Sequence, residues 1–300
     1  MAEKEKTGEI EVSTLSDIEL IELLHIAGDC VTQEAVNEII ERKERMIAPL
    51  TRIVSDKNSW LEPMPEWWAV VHATYILGAF ESAEALSGLL CSLRWADAFD
   101  NEWVTEDLPA IFGKIGRPAY AHLLAIVQDY PAGWGARSIA LSSMAAIGLH
   151  DTALRPLIME SIAKIVENEG EDLRLRQNAA NILLDFKSKK HRAILKRFGR
   201  EESSRKKDIP GYEGVFYDWE VDEFLNSDSS DLDLYDRDWM IFYEDEERHR
   251  RHDYWEEEQE QRRREKEEEK GGLLLSEKRY QHCPCGSGLR YEECCKKKVH

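Results

Sequence analysis

The sequence is poor in the residues and patterns that mark several large classes of protein. Glycine (17) and proline (9) are too scarce among 300 residues for a collagen-like or low-complexity chain. The longest apolar stretch, Trp67 to Phe80, is broken by His72 and is too short to span a bilayer, so no membrane span is expected. Basic residues are in deficit, with 40 Lys and Arg against 59 Asp and Glu, a formal charge of -19. Such a charge opposes binding to a phosphate backbone, and nucleic acid is not the expected ligand. No Gly-Lys-Ser/Thr, G-x-G-x-x-G or G-x-S-x-G occurs, which removes the common signatures of nucleotide-binding and hydrolase sites. The opening MAEKEKTGEIEV has no apolar core of a signal peptide, and the expected location is cytoplasmic.

What is present is enough apolar residue, 42%, for a substantial core. Residues 1–14 are polar and expected to be disordered. From Leu15 to about residue 200, apolar residues recur at three- and four-residue spacing with breakers between segments, which predicts helices. Ser16 or Asp17 can cap a first helix that runs to Ile26, with Gly28 ending it. Four segments share small residues followed by an anchor: HATYILGAF, LPAIFGKIG, LSSMAAIG and NAANILLDF. Each precedes a polar turn and a second apolar helix: AEALSGLLCSL, PAYAHLLAIV, ALRPLIMESIAKIV and HRAILKRF. The anchors Phe80, Ile115, Ile147 and Phe186 are spaced by 35, 32 and 39 residues, the step of stacked helical pairs. These units, best seen in Trp68 to Leu93 and Arg137 to Val166, resemble HEAT-like repeats. The resemblance implies an all-α fold, a HEAT-like α-solenoid over residues 15–200, whose surface binds a partner.

Residues 201–243 form an acidic, aromatic-rich extension. Between 218 and 247 there are thirteen acids and one base, Arg237. They are interleaved with Phe216, Tyr217, Trp219, Phe224, Leu225, Tyr235, Trp239, Phe242 and Tyr243. A purely solvated acidic tail lacks so many large apolar groups. Docking on the helical array is expected, because an intramolecular dock costs less ordering entropy than an intermolecular one. Residues 244–280 are a charged linker. Glu258 with Arg262, Glu260 with Arg264, Arg263 with Glu267 and Arg264 with Glu268 fall four apart, which favours an exposed helical spacer.

Six cysteines are present, and four of them, Cys283, Cys285, Cys294 and Cys295, crowd into thirteen residues of the module 281–300. The pattern C-x-C-x8-C-C supplies the four thiolates of a tetrahedral structural zinc site. Pro284 restricts the first loop, while Gly286 and Gly288 permit backbone geometry that a Cβ opposes. Arg290, Lys296, Lys297 and Lys298 can offset the negative charge of the cluster. So short a tail has no core of its own, and the metal must supply its folding energy. The bland reading is a disulfide-forming or reactive cluster. Cys30 and Cys91 sit among apolar neighbours in helical patterns and are expected to be buried structural thiols.

CPCGSGLRYEECC looks like the SEC-C motif, the zinc-binding tail named after the C-terminus of the translocase motor SecA. The likeness makes Cys283, Cys285, Cys294 and Cys295 the ligands of one structural zinc, with Arg290, Tyr291, Lys296 and Lys297 as the partner-binding face. Many members carry His where this chain has Cys295, and the lysines usual after the glycines are replaced in part by Leu289, Glu292 and Glu293. In SecA the motif contacts the chaperone SecB; elsewhere it is an appendage of proteins linked to translation or quality control. The whole chain is similar to a bacterial family of unknown function that joins HEAT-like helices to a terminal SEC-C motif.

The remaining candidates have simpler explanations. His72, His122 and His150 read as packing or capping residues, and His249 and His252 as part of a solvated face. Trp60, Trp67, Trp68, Trp95, Trp103 and Trp134 read mostly as core. The expected function is a zinc-binding protein-interaction adaptor with protein partners, such as a chaperone or a ribosome-associated factor, linked to export, translation or quality control. The alternatives are an enzyme with its site in the concave face around Trp67, Trp68 and His72, and an acidic mimic of nucleic acid built from residues 218–247.

Overall fold

In the computed structural model, the described residues are 11–228, 232–255, 257, 260, 261 and 263–265. Among them the structure is all-helical, with no strand. After a 3-10 turn at Val12–Thr14 come α1 (Asp17–Ile26), α2 (Gln33–Glu41), α3 (Glu44–Ser55), α4 (Trp68–Ala79), α5 (Leu86–Ala98), α6 (Glu102–Ile115) and α7 (Arg117–Gln128). They are followed by α8 (Gly133–His150), α9 (Arg155–Glu167), α10 (Leu173–Asp185), α11 (Arg192–Asp208), α12 (Val221–Asn226) and α13 (Asp233–Asp236), then a 3-10 segment at Trp239–Tyr243.

Local sequence explains the first helix in full. Ser16 accepts from the backbone N–H of Glu19, and the Glu19 carboxylate accepts from the N–H of Ser16, a reciprocal cap for two orphan donors. Gly28 then takes φ +59, a conformation that any Cβ disfavours, and turns the chain out of the helix.

The four anchor segments fall in α4, α6, α8 and α10, and the four companion segments in α5, α7, α9 and α11 with their leading turns. Each helix of the first set packs on the next, α4 on α6, α6 on α8 and α8 on α10. Small residues allow the approach: a Cβ on Gly113 of α6 would lie 3.1 Å from that of Ala146 in α8. An amphipathic helix buries one stripe, yet α4 is buried at every position from Trp68 to Gly78. Its second flank is covered by residues distant in sequence.

α1, α2 and α3 supply part of that cover, and the acidic extension supplies the rest as it packs against α11, α10, α8, α6 and α4 in reverse chain order. Phe216 meets Phe198 of α11 at 5.9 Å between ring centroids. The short α12 lies on α10 and α11, and α13 on α6 and α8. Tyr235 of α13 donates to Asp185 at the end of α10 at 2.8 Å and packs on Phe186. The 3-10 segment ends the run on α4, where Trp239 Nε1 donates to the Tyr75 carbonyl at 3.1 Å. Phe216, Val221, Leu225, Tyr235, Trp239, Phe242 and Tyr243 are all buried. Each such side chain withdrawn from water contributes about 1.5–3 kcal/mol before ordering costs. We refer to the described residues of this extension, 216–228 and 232–243, as the strap.

The chain divides into one compact unit ending at Asp245 and a second beginning at Glu246. In the second, residues 246–255 are helical, Arg250 pairs with Glu247 at 2.7 Å, and Glu260 pairs with Arg264 at 2.7 Å in the expected i,i+4 register.

Candidate functional site

The expected zinc ligands Cys283, Cys285, Cys294 and Cys295, and the expected partner-binding residues Arg290, Tyr291, Lys296 and Lys297, lie outside the described residues. Among the described residues no group of three or more His, Cys, Asp or Glu could hold a metal ion.

Two expectations about the other cysteines are corrected. Cys30 is exposed and Cys91 half-exposed, not buried. Cys30 stands in the turn that follows Gly28, whose next residue, Val31, points inward instead. On α5 the buried positions are Leu86, Leu89, Leu93 and Ala96, and Cys91 falls at the flank of that stripe. The tryptophans also divide. Trp60 and Trp68 are buried, Trp67, Trp95 and Trp103 are half-buried, and Trp134 is exposed beneath the Arg174 guanidinium, 4.8 Å from its ring centroid.

Under the end of the strap lies a buried polar cluster. The Gly28 carbonyl can only accept, so His72 Nε2 donates to it at 2.8 Å. In the neutral ring Nδ1 then accepts from the Tyr243 hydroxyl at 3.0 Å. Phe242 fills the space between Trp68, His72, Tyr75 and Trp103, with centroids 5.4–5.8 Å away. The Tyr75 hydroxyl donates to the Asp107 carboxylate. Burial pushes the Asp107 carboxyl up, opposed by the Tyr75 hydrogen bond and the charge of Arg237. His72 is thus a packing residue, as the sequence suggests, and the Trp68–His72 face is closed by the chain itself.

Ion pairs hold the strap along its length. Asp222 meets Arg192 at 2.8 Å and Lys196 at 2.7 Å, and these cations hold its carboxyl well below the ordinary carboxylate range. Asp236 meets Lys114 at 2.8 Å, with His150 Nε2 3.3 Å from the same oxygen. Arg237 lies 3.1 Å from Glu106. Lys187 Nζ donates to the Phe224 carbonyl and the Ser227 hydroxyl. The acidic character of the strap is therefore matched in part by cations of the helices it covers.

A second feature has a sequence signal that the anchor alignment could have supplied. Arg137 and Arg176 each stand ten residues before an anchor, Ile147 and Phe186. Arg137 Nε donates to the Val127 carbonyl at the end of α7, and Arg176 Nε to the Val166 carbonyl at the end of α9, at 2.7 and 3.0 Å. Each guanidinium also meets a carboxylate, Glu171 at 2.6 Å or Glu201 at 2.8 Å, and lies over a ring, Tyr130 or Phe198. The arginines tie each helical pair to the next by satisfying carbonyls that a helix end leaves open. The Arg137 guanidinium holds the Glu171 carboxyl below its usual range.

Away from the strap, α5, α7 and α9 leave clefts between them. One is lined by Leu90, Cys91 and Arg94 of α5 and by His122, Ala125, Ile126 and Asp129 of the α7 side. No helix among the described residues is long and apolar enough to cross a membrane. Comparison with protein families, curated proteins and solved structures finds no match to this chain.

Proposed function

We propose that this chain is a cytoplasmic protein-interaction adaptor, an α-solenoid of HEAT-like helical pairs carrying a zinc-bound SEC-C module on a charged helical linker. The observation that carries the reading is the C-x-C-x8-C-C tail that follows the helical region. Zinc held by Cys283, Cys285, Cys294 and Cys295 has a filled coordination shell, so its role is to fold the tail. The folded tail offers Arg290, Tyr291, Lys296 and Lys297 to a protein partner, such as a chaperone or a ribosome-associated factor. The stepwise packing of α4, α6, α8 and α10 supports the solenoid half of the reading. Because the strap lies on those helices, the first partner meets the array on α5, α7 and α9 or on the strap. Two modest contacts joined by a linker gain effective concentration, so neither needs to be tight alone.

The competing reading, an enzyme centred on Trp67, Trp68 and His72, requires a substrate to reach groups that Phe242 and Tyr243 cover. Crosslinking of the full-length protein in cells, compared with a Cys294→Ser/Cys295→Ser variant, tests the adaptor. The variant should lose a subset of partners and keep those of the helical array. Identical partner sets would remove the tail from the function.

A further inference from the structure

We propose that the cleft between the end of α10 and the start of the strap seats an aliphatic side chain of a basic protein segment. On the adaptor reading, on which this role rests, it is here that the helical part of the chain meets its partner. The cleft is lined by Leu184 and Asp185 of α10, by Lys187, and by Val215, Phe216 and Phe224. Its volume of about 130 Å³ falls short of the roughly 300–1,000 Å³ of small-molecule sites. One side chain of a protein partner suits it better than a metabolite. The strap is two-faced at this point. In α12 Val221 and Leu225, four apart, turn inward and are buried, which leaves Phe224 on the outer side. Val215, Trp219 and Phe224 stay 39%, 59% and 40% exposed, although Phe216 among them is buried against Phe198. The Trp219 ring is held against Tyr217 at 5.1 Å between centroids. A fixed, solvent-facing tryptophan beside an apolar cleft has the composition of an interface centre.

Charge selects the occupant. Residues 213–228 contain six acids, Glu213, Asp218, Glu220, Asp222, Glu223 and Asp228, and no Lys or Arg. The cations contributed by the helices are engaged by the strap itself: Lys187 donates to the Phe224 carbonyl and the Ser227 hydroxyl, and Arg192 and Lys196 hold Asp222. The exposed Glu223 and Asp228 and the half-exposed Asp218 therefore leave the outer rim negative. An acidic or phosphate-bearing ligand is repelled there, whereas Lys or Arg on either side of the inserted aliphatic group is attracted. Trp219 offers one of those cations the face of its ring.

The test uses reduced full-length protein and fluorescein-labelled peptides read by fluorescence polarisation at about 0.15 M salt. One short peptide alternates Lys and Leu, a second has Ser in place of each Leu, and a third has Glu in place of each Lys. The Lys–Leu peptide should bind about tenfold more tightly than either of the others. Trp219→Ser should weaken its binding about tenfold and Glu223→Lys about three- to tenfold, each at an exposed position and with an unchanged circular dichroism melt. Ile18→Ser/Ile26→Ser, which removes the exposed apolar pair of α1, should leave the affinity unchanged. So should Cys294→Ser/Cys295→Ser, which separates this surface from the zinc tail. The proposal is overturned by no measurable binding of the Lys–Leu peptide, by equal binding of the Lys–Ser peptide, by an affinity indifferent to Trp219→Ser and Glu223→Lys, or by loss of binding in either control variant.

Discussion

Replacing Gly199 by alanine separates the docked strap from a strap that is merely attached. Gly199 lies inside α11, where alanine ordinarily gains about 1 kcal/mol over glycine in helix propensity. A Cβ at this position would stand 2.5 Å from the backbone nitrogen of Asp218, 2.8 Å from its Cα and 2.8 Å from the carbonyl carbon of Tyr217. These are backbone atoms, which cannot swing aside as a long side chain does. Ordinary contact begins near 3.5 Å, so residues 217–218 must retreat by roughly 1 Å. The retreat pulls on Phe216, seated against Phe198, and on Asp222, paired with Arg192 and Lys196 of the same helix. Overpacking of this kind costs about 1–3 kcal/mol and more where backbone must move, so the propensity gain is outweighed. The variant should be destabilised by about 1–3 kcal/mol, which for a unit of this size lowers the melting temperature by roughly 2–10 °C. Circular dichroism at 222 nm with heating, checked by urea denaturation, reads the change. A melting temperature raised by a few degrees, as for an unobstructed helical glycine, would refute the placement of the strap.

Other perturbations reach different parts of the account. Trp239→Ala removes a buried ring and its hydrogen bond to the Tyr75 carbonyl, and should cost about 3–5 kcal/mol in urea denaturation. Glu171→Ala leaves the buried Arg137 guanidinium without its carboxylate and should cost about 3–5 kcal/mol, whereas Arg137→Leu/Glu171→Leu together should cost less than the single change. The depressed carboxyl of Asp222 stabilises the fold above the ordinary carboxylate pKa of about 4, and that contribution is lost as pH falls below it. Asp222→Asn should therefore lower the melting temperature at neutral pH, with the gap to the unaltered protein closing as pH falls from about 4 toward 2.

The helical order was open to reading because it rests on local chemistry. Ser16 and Gly28 bracket the first helix by capping and left-handed geometry, and the anchors Phe80, Ile115, Ile147 and Phe186 fall in the last turn or at the C-cap of the four helices that pack on one another. The acidic extension was readable as a segment that must bury its aromatics, but not in its path. Which ring meets which helix depends on pairings such as Trp239 with Tyr75, 164 residues apart, to which no local period points. Burial of single residues was the weakest inference, because half a helical turn decides it. Cys91 and Trp134 lie among apolar neighbours in sequence yet fall outside the buried stripes of α5 and α8. The interlocking arginines have no local signature, because a charged residue in a helix reads as solvated until its carboxylate, 34 residues on for Arg137, is known.

The adaptor reading depends most on the metal in the tail. Purified full-length protein, kept reduced and free of chelator, should contain one equivalent of zinc by elemental analysis, and the Cys294→Ser/Cys295→Ser variant should contain almost none. A content well below one equivalent in the unaltered protein, or an undiminished content in the variant, would contradict it.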